Sequence, residues 1–596
     1  MSRYKSATLR TRMIDIQFKD LSYEVQIGYR GQKKQILKDL DGLFKAGELT
    51  AIMGTSGAGK STLLNILSGL QQGKLTGKIN YIGNEGVQNL NRYKKDSCYI
   101  QQTDCLYDLF TVQESMMIAA YLKIGNVTHT FRQMLTDSIL KTLNLTKTKD
   151  TRTARLSGGQ KKRLSIALEL IGNPPIMFLD EPTTGLDSLA SLQCVSALQT
   201  LAKTGRTIIC TIHQPSAAIY QMFDHIYLMV DGQCMYADKP GNTVSYFAQQ
   251  GFQCPKYHNP ADYMLEVVNG EYGNYDTQLI AAAKHYCERT VTPLKQRMIK
   301  EASFDERNVN VLSKLKPPSE MMRFMVLLRR CILLLYRDWT LTHLKVIITF
   351  LVAVLLGLLF EHSGDDGSKT ISNFGFLVIS VMYVIYTTMI PAVLKFPLEL
   401  AILRKERFNN WYQLKTYYIA TLVTTLPLQI LFSLIYSSIT YVLTNQPMEW
   451  NRFFMFLLIL ALTSFASESV GLGLGAIFNP INGTFFGAIT VCAMLCLAGY
   501  LVFFNHMPVI LYYVSYVNYF RYAFEGMVQA IYGFQRENLR CPSYVEYCHF
   551  RIPSIILEEL SMSKPMFWID VSMLFGWFVA IRILVYASLK RRLSKL

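Results

Sequence analysis

The spacing of apolar residues changes near residue 320 and divides the chain into two halves of different kind. Before it, short apolar runs such as 49–53 and 176–179 alternate with stretches of mixed polarity. That alternation predicts strands and helices in turn over residues 12–270, an α/β core with an inserted helical subdomain at about 110–170. Residues 271–320 are polar, mix Lys with Glu and end in Pro317-Pro318, which reads as a linker. Over 321–340, Arg323, Arg329, Arg330 and Arg337 are interleaved with Leu, Met and Phe. This suits an amphipathic helix at a membrane surface; a short basic helix packed on the first half is the alternative.

From 341 to 596 the pattern is one of long apolar segments. Six are predicted, near 341–360, 373–394, 417–443, 453–478, 483–504 and 567–589, each close to the roughly 20 residues that cross a bilayer as a helix. An even number places both termini on one side. The first loop carries Glu361, Asp365 and Asp366 and reads as external; the second carries Lys395, Arg404, Lys405, Arg407 and Lys415 and reads as cytosolic. The basic tail with Lys590, Arg591, Arg592 and Lys595 agrees with that orientation. No apolar signal segment follows Met1, so the first half is expected to stay cytosolic.

Within the external segment 505–566, Arg521 and Glu525 stand four residues apart and are expected to pair, part of the segment dipping into the membrane. Cys541 and Cys548 lie on the oxidising side, where an intrachain disulfide is the favoured reading and an intersubunit bond the competitor. Glu468 interrupts an apolar span and should face a partner or cavity, either hydrogen-bonding neighbouring spans or pairing with Ser464, Ser467 or Ser469. Arg582 is expected to snorkel to the cytosolic interface.

Half of the 596 residues are hydrophobic and only 17% are charged, fewer than a soluble protein carries. The net charge of +17 raises a nucleic-acid partner, but much of the excess flanks the apolar segments, so no nucleic acid is expected. The 12 cysteines show no metal-binding spacing.

The chemistry concentrates in the first half. Gly54, Thr55, Ser56, Gly57, Ala58, Gly59, Lys60 and Ser61 follow an apolar run and, with Thr62, open a helix. This is the phosphate-binding loop in its required context: small residues let backbone N–H groups close on phosphates, Lys60 adds a point charge and Ser61 a hydroxyl for Mg²⁺. Residues 176–179 form a strand ending in Asp180-Glu181, the first carboxylate suited to Mg²⁺ and the second to polarising an attacking water. Tyr23 has two readings, a ring for adenine or a core residue.

The string Leu156-Ser157-Gly158-Gly159-Gln160-Lys161 resembles the signature of the ATP-binding-cassette (ABC) family. Gln102, Asp187 and His213 are similar to that family's Q-loop, D-loop and switch histidine. The resemblance implies an ABC ATPase (nucleotide-binding) domain of α/β class followed by an all-α six-span transmembrane domain. It implies Glu181, His213 and Gln102 as catalytic residues and Ser61, Gln102 and Asp180 around Mg²⁺. ATP would be held by residues 54–62 and by Ser157, Gly158, Gly159, Gln160 and Asp187.

The order of the halves, with Asn259-Pro260-Ala261-Asp262, resembles subfamily G, the White-type half-transporters. The strings around 208–216, 257–260 and 519–526 look close to the sterol-exporting branch. The resemblance implies ATP-driven export of sterols or other lipids by alternating access. A small planar molecule (pigment precursor, steroid hormone or xenobiotic) is the alternative. It implies a second half-transporter as partner, a homodimer being favoured because every catalytic motif is intact and a heterodimer remaining possible. A substrate slot between the second and fifth spans would use Tyr383, Tyr386, Thr387, Cys492 and Leu495, with Tyr500 and Leu501 as its plug. The plasma membrane is the expected location, endosomal membranes the alternative.

Overall fold

The computed structural model describes every residue except 1–10, 28–31, 72, 84–85, 88–89, 257, 274, 292–316, 542–547 and 595–596. Most of the expected linker, with Tyr257 and Lys595, lies outside the described residues. Two units result: residues 1–326 with 402–413, and residues 327–401 with 414–594.

The first unit contains β1 (Ile14–Ile27), β2 (Gln32–Phe44), β3 (Leu49–Gly54), β4 (Lys74–Gly83), β5 (Gly86–Val87), β6 (Ser97–Ile100), β7 (Ile176–Leu179), β8 (Thr207–Thr211), β9 (His225–Val230) and β10 (Gln233–Asp238). Its helices are α1 (Lys60–Leu67), α2 (Leu90–Asp96), α3 (Val112–Lys123), α4 (His129–Thr142), α5 (Gly158–Leu170), α6 (Ser188–Ala202), α7 (Ala217–Tyr220), α8 (Thr243–Gln249), α9 (Pro260–Val268) and α10 (Asp276–Val291). Helix α10 occupies part of the stretch expected to be linker.

Strands β2-β1-β4-β5 form an antiparallel sheet, and β10-β9-β3-β8-β7-β6 a second sheet that is parallel from β9 to β6. Every residue of β3, β7 and β8 is buried, which explains their unbroken apolar runs: a parallel strand in the middle of a sheet is covered on both faces. The expected subdomain appears as α3 and α4 running into α5. Tyr23 is buried in the core, where its hydroxyl accepts from Gln71 Nε2 at 2.9 Å, so the core reading holds.

Strand β6 is the sheet's edge, and residues 402–413 cover it. Asn409 behaves as a one-residue strand: its Oδ1 accepts from Tyr99 N–H at 2.9 Å and its Nδ2 donates to Tyr99 C=O at 3.0 Å. Beside it Trp411 Nε1 donates to the buried Glu169 carboxylate at 3.3 Å, which also receives Lys123 Nζ at 2.6 Å. Side-chain amides and rings thus satisfy an edge that would otherwise expose unpaired backbone groups.

Helix α11 (Glu320–Arg337) is the expected amphipathic helix; its residues to 326 fall in the first unit and the rest in the second. The second unit continues with α12 (Lys345–Leu359), α13 (Thr370–Phe408), α14 (Leu414–Leu443), α15 (Trp450–Ile477), α16 (Pro480–Cys496), α17 (Val509–Ser515), α18 (Tyr519–Tyr532), α19 (Pro553–Glu559) and α20 (Phe567–Ser594). Five of its helices are long and apolar enough to cross a membrane. The fifth expected span, 483–504, appears as the shorter apolar helix α16, which has 17 residues and ends at Cys496. At 1.5 Å per residue it is about 25 Å long, and its 17 residues stand at the lower end of the roughly 17–25 with which a helix crosses a bilayer. It ends because Gly499 takes φ +85° and packs against the Phe504 ring, where a Cβ would collide. Periodicity could not show this, since the residues after the turn are as apolar as those before it.

Glycines let α15 and α16 approach α13 closely: Gly471 and Gly487 meet Met389, and Gly475 and Gly483 meet Phe396 and Val393. Helix α18 is buried along its whole length. Arg452 caps its C-terminal end, donating to Gly533 C=O at 2.8 Å and Phe534 C=O at 3.1 Å. Arg521 pairs with Glu525 at 3.8 Å, and Cys541 is joined to Cys548 by a disulfide with Cα atoms 6.1 Å apart.

Candidate functional site

Three neighbouring parallel strands, β3, β7 and β8, end on the same edge of the sheet, and the residues just beyond them converge. After β3 the chain turns through Gly54, Gly57 and Gly59, all with positive φ. A Cβ on Gly54 would collide with the Met229 carbonyl, so only glycine lets the loop pass there. Lys60 opens α1, is 6% exposed, and donates from Nζ to the Gly54 and Thr55 carbonyls at 2.8 and 2.7 Å. Burial pulls its pKa below the ordinary value, an effect opposed by the charges of Glu181 and Asp180.

Beyond β7, Asp180 Oδ1 accepts from Ser61 Oγ at 3.1 Å and from Thr211 Oγ1 at 2.8 Å. The next residue, Glu181, has φ +42°, unusual for a side-chain-bearing residue. Its N–H donates to Thr211 Oγ1 at 2.8 Å, while its Oε2 accepts from Gln102 Nε2 at 2.8 Å and Thr184 Oγ1 at 3.0 Å. The hydroxyl and carboxylate oxygens of Ser61 and Asp180 are the hard donors that Mg²⁺ takes, so the site's chemistry fits that ion. His213 follows β8 and is exposed. Lys60, Ser61, Gln102, Asp180 and Glu181 are therefore brought together as expected.

The signature turn lies elsewhere. Ser157 caps α5 by accepting from Gln160 N–H at 3.3 Å, and Gln160 Oε1 accepts from Ser157 N–H at 3.0 Å, a reciprocal capping box. Asp187 caps α6, accepting from Ala190 N–H at 2.6 Å, and a Cβ on Gly159 would crowd Ala190 at 2.6 Å. Among the described residues no hydrogen bond joins Ser157, Gly158 or Gly159 to the phosphate loop.

Of the proposed cavity residues, Tyr386 and Cys492 meet, with hydroxyl and thiol 3.8 Å apart. Tyr383 instead donates to Thr349 at 3.0 Å and stacks on Tyr436, and Thr387 bonds back to Tyr383 C=O at 2.8 Å. Leu495 is half-buried and packed on the core, Tyr500 packs edge-on against Phe524, and Leu501 is exposed. No role for Lys162 was legible in the sequence, which placed Thr211 and Asn259 only within family strings, without the contacts of their side chains. Thr211 stands two residues before His213, but a threonine in a buried strand gives no pattern of its own.

Residues 37–184 match a family model described as "ABC transporter", and residues 322–532 and 213–285 match models described as "ABC-2 type transporter". ABC transporter G family member 25 of Arabidopsis thaliana is 30% identical over 94% of this chain and 88% of its own length. G family member 21 of the same plant is 29% identical over 98% and 92%. Protein white of Drosophila melanogaster is 28% identical over 94% and 84%.

Proposed function

We propose that this chain, which belongs to the ABC transporter G family as a White-type half-transporter, uses ATP to export sterols or other lipids across a membrane as one half of a homodimer. ATP hydrolysis coupled to transport is the family's activity. The finer reading of substrate is carried by α16, which contains no charged residue and exposes Ile481, Phe485, Ile489, Cys492 and Cys496 at helical spacing along one face. An uncharged stripe of that length suits an apolar ligand shared with a second copy. Tyr386, beside Cys492, supplies an aromatic wall on α13. The same tyrosine favours the second reading, a small planar molecule that stacks.

In the first unit the phosphate loop and the N-terminus of α1 hold the ATP phosphates, and Lys60 turns from its own loop carbonyls to the β/γ-phosphates. Glu181, held by Gln102 and Thr184, orients the attacking water. Ser61, Asp180 and Gln102 would hold Mg²⁺, which would supply charge neutralisation at the phosphates. His213 contacts the γ-phosphate from β8. Ser157, Gly158 and Gly159 at the start of α5 complete the site of the partner, a reading supported by the capping box that leaves the N–H groups of Gly158 and Gly159 at the helix N-terminus. ATP closes the two halves, the closure alternates access in the membrane unit, and hydrolysis resets it.

The test is ATPase activity of the purified protein in lipid nanodiscs, with and without cholesterol, beside Glu181→Gln. Sterol-stimulated turnover abolished by the substitution supports the reading. Turnover indifferent to sterol moves the substrate to the planar class. A folded protein without turnover sinks the homodimer.

A further inference from the structure

We propose that Lys162 is a positioning residue through which the signature turn governs the Q-loop of its own chain, linking the two ATP sites of the dimer. The inference rests on the dimer reading above.

Lys162 lies in the first turns of α5, four residues after Gly158, and is 1% exposed. Its Nζ donates to the carbonyls of Gln101 at 3.1 Å and Gln102 at 2.7 Å, and lies 3.2 Å from Asp104 Oδ1. An ammonium has three donors, and all three of these partners belong to one four-residue loop. That loop is irregular, beginning where β6 ends at Ile100, so no ladder fixes it. The carbonyl held at 2.7 Å belongs to the residue whose Nε2 reaches Glu181. The path from α5 to the hydrolytic carboxylate is two hydrogen bonds long.

The start of α5 and the Q-loop serve different nucleotides. Ser157 and the N–H groups behind it face the partner's ATP, whereas Gln102 faces the ATP of its own phosphate loop. A helical turn is stiff, and Ser157 and Lys162 ride on consecutive turns of it. A displacement of the signature turn by the partner's nucleotide therefore carries Lys162 with it, shifts the Gln102 backbone and alters the Gln102–Glu181 contact. Occupancy of one site adjusts hydrolysis at the other. A lysine buried only for stability requires acceptors, but not those of the residue touching Glu181.

The experiment is steady-state MgATP hydrolysis by full-length Lys162→Gln and Asp104→Asn in nanodiscs, with thermal melting in parallel. For Lys162→Gln, kcat falls about tenfold with KM within about twofold of wild type, and the Hill coefficient for ATP falls to about 1. Asp104→Asn, which leaves both carbonyl bonds, keeps the wild-type Hill coefficient. An unchanged Hill coefficient in folded Lys162→Gln, or a wild-type value of about 1, overturns the proposal. If Lys162→Gln does not fold, hydrogen exchange decides: ATP protects residues 101–105 of wild type but not of Ser157→Arg, and equal protection overturns it. Mass photometry of Glu181→Gln with MgATP separates the two claims. No ATP-dependent association sinks the dimer reading itself, whereas association with an unchanged Hill coefficient sinks only the role of Lys162.

Discussion

The Arg582 guanidinium lies 2.8 Å from the Glu468 carboxylate, joining α20 to α15, with both side chains less than 10% exposed. Glu468 thus meets a partner on a neighbouring helix, as one reading of it expected, while the serine pairing and the snorkelling of Arg582 are corrected. Glu468 does not turn to its neighbouring serines: Ser464, Ser467 and Ser469 each bond back to a carbonyl of their own helix at 2.7 Å. Arg582 turns inward instead of snorkelling: it donates to Glu468 and is buried. In hydrocarbon, each charge is the other's best available solvent.

Breaking that pair from either side takes from a buried charge its hydrogen-bonded counterion. Glu468→Gln or Arg582→Met is expected to lower stability by about 3–5 kcal/mol, and the double variant Glu468→Leu/Arg582→Met by less than either. Melting in detergent checks this; a double variant as damaged as the sum of the singles refutes the pairing.

Asn409 supplies two hydrogen bonds to the edge strand β6. Asn409→Ala leaves the Tyr99 N–H and C=O without these partners, a loss of about 1–3 kcal/mol. Asn409→Asp keeps the acceptor but not the donor and should fall between. A melting series that places Asp below Ala contradicts the geometry.

Asn259 has a role that its motif did not disclose. Its Oδ1 caps α9 through Ala261 N–H at 3.3 Å, while its Nδ2 donates to Asp262 Oδ2 at 2.8 Å and Pro215 C=O at 3.4 Å, just after His213. Asn259→Asp keeps a capping oxygen but sets it against Asp262, and should cost about 1–2 kcal/mol more than Asn259→Ser. Melting of the two variants decides; the opposite order removes the Asp262 contact from the account.

His225 on β9 is half-buried, and desolvation lowers its pKa to about 4, with Asp238 opposing and Lys45 assisting. The unfolded chain, near 6.5, takes up the proton first. Stability from this residue is thus complete above about pH 6.5 and lost as pH falls towards 4, roughly 3 kcal/mol in all. His225→Phe should flatten that part of the pH–stability profile. A variant that keeps the wild-type slope assigns the acid sensitivity to other groups.

The two halves, the phosphate loop with Asp180 and Glu181, and five of the six long apolar segments were legible in the sequence. Each rests on local periodicity or on a loop whose chemistry demands particular residues at fixed spacing. Glycines at 54, 57 and 59 are required by backbone conformation. Apolar runs are required by burial on both faces of a strand or by lipid.

Tertiary structure alone decided which distant side chains meet. Lys162 finds the Gln102 carbonyl, Asn409 the edge of β6, and Glu468 an arginine 114 residues away. It also decided that the fifth apolar helix ends at Cys496 and that the chain turns at Gly499. Such pairings leave no periodic trace, because a buried polar group needs one partner in space and is indifferent to where in the chain that partner comes from.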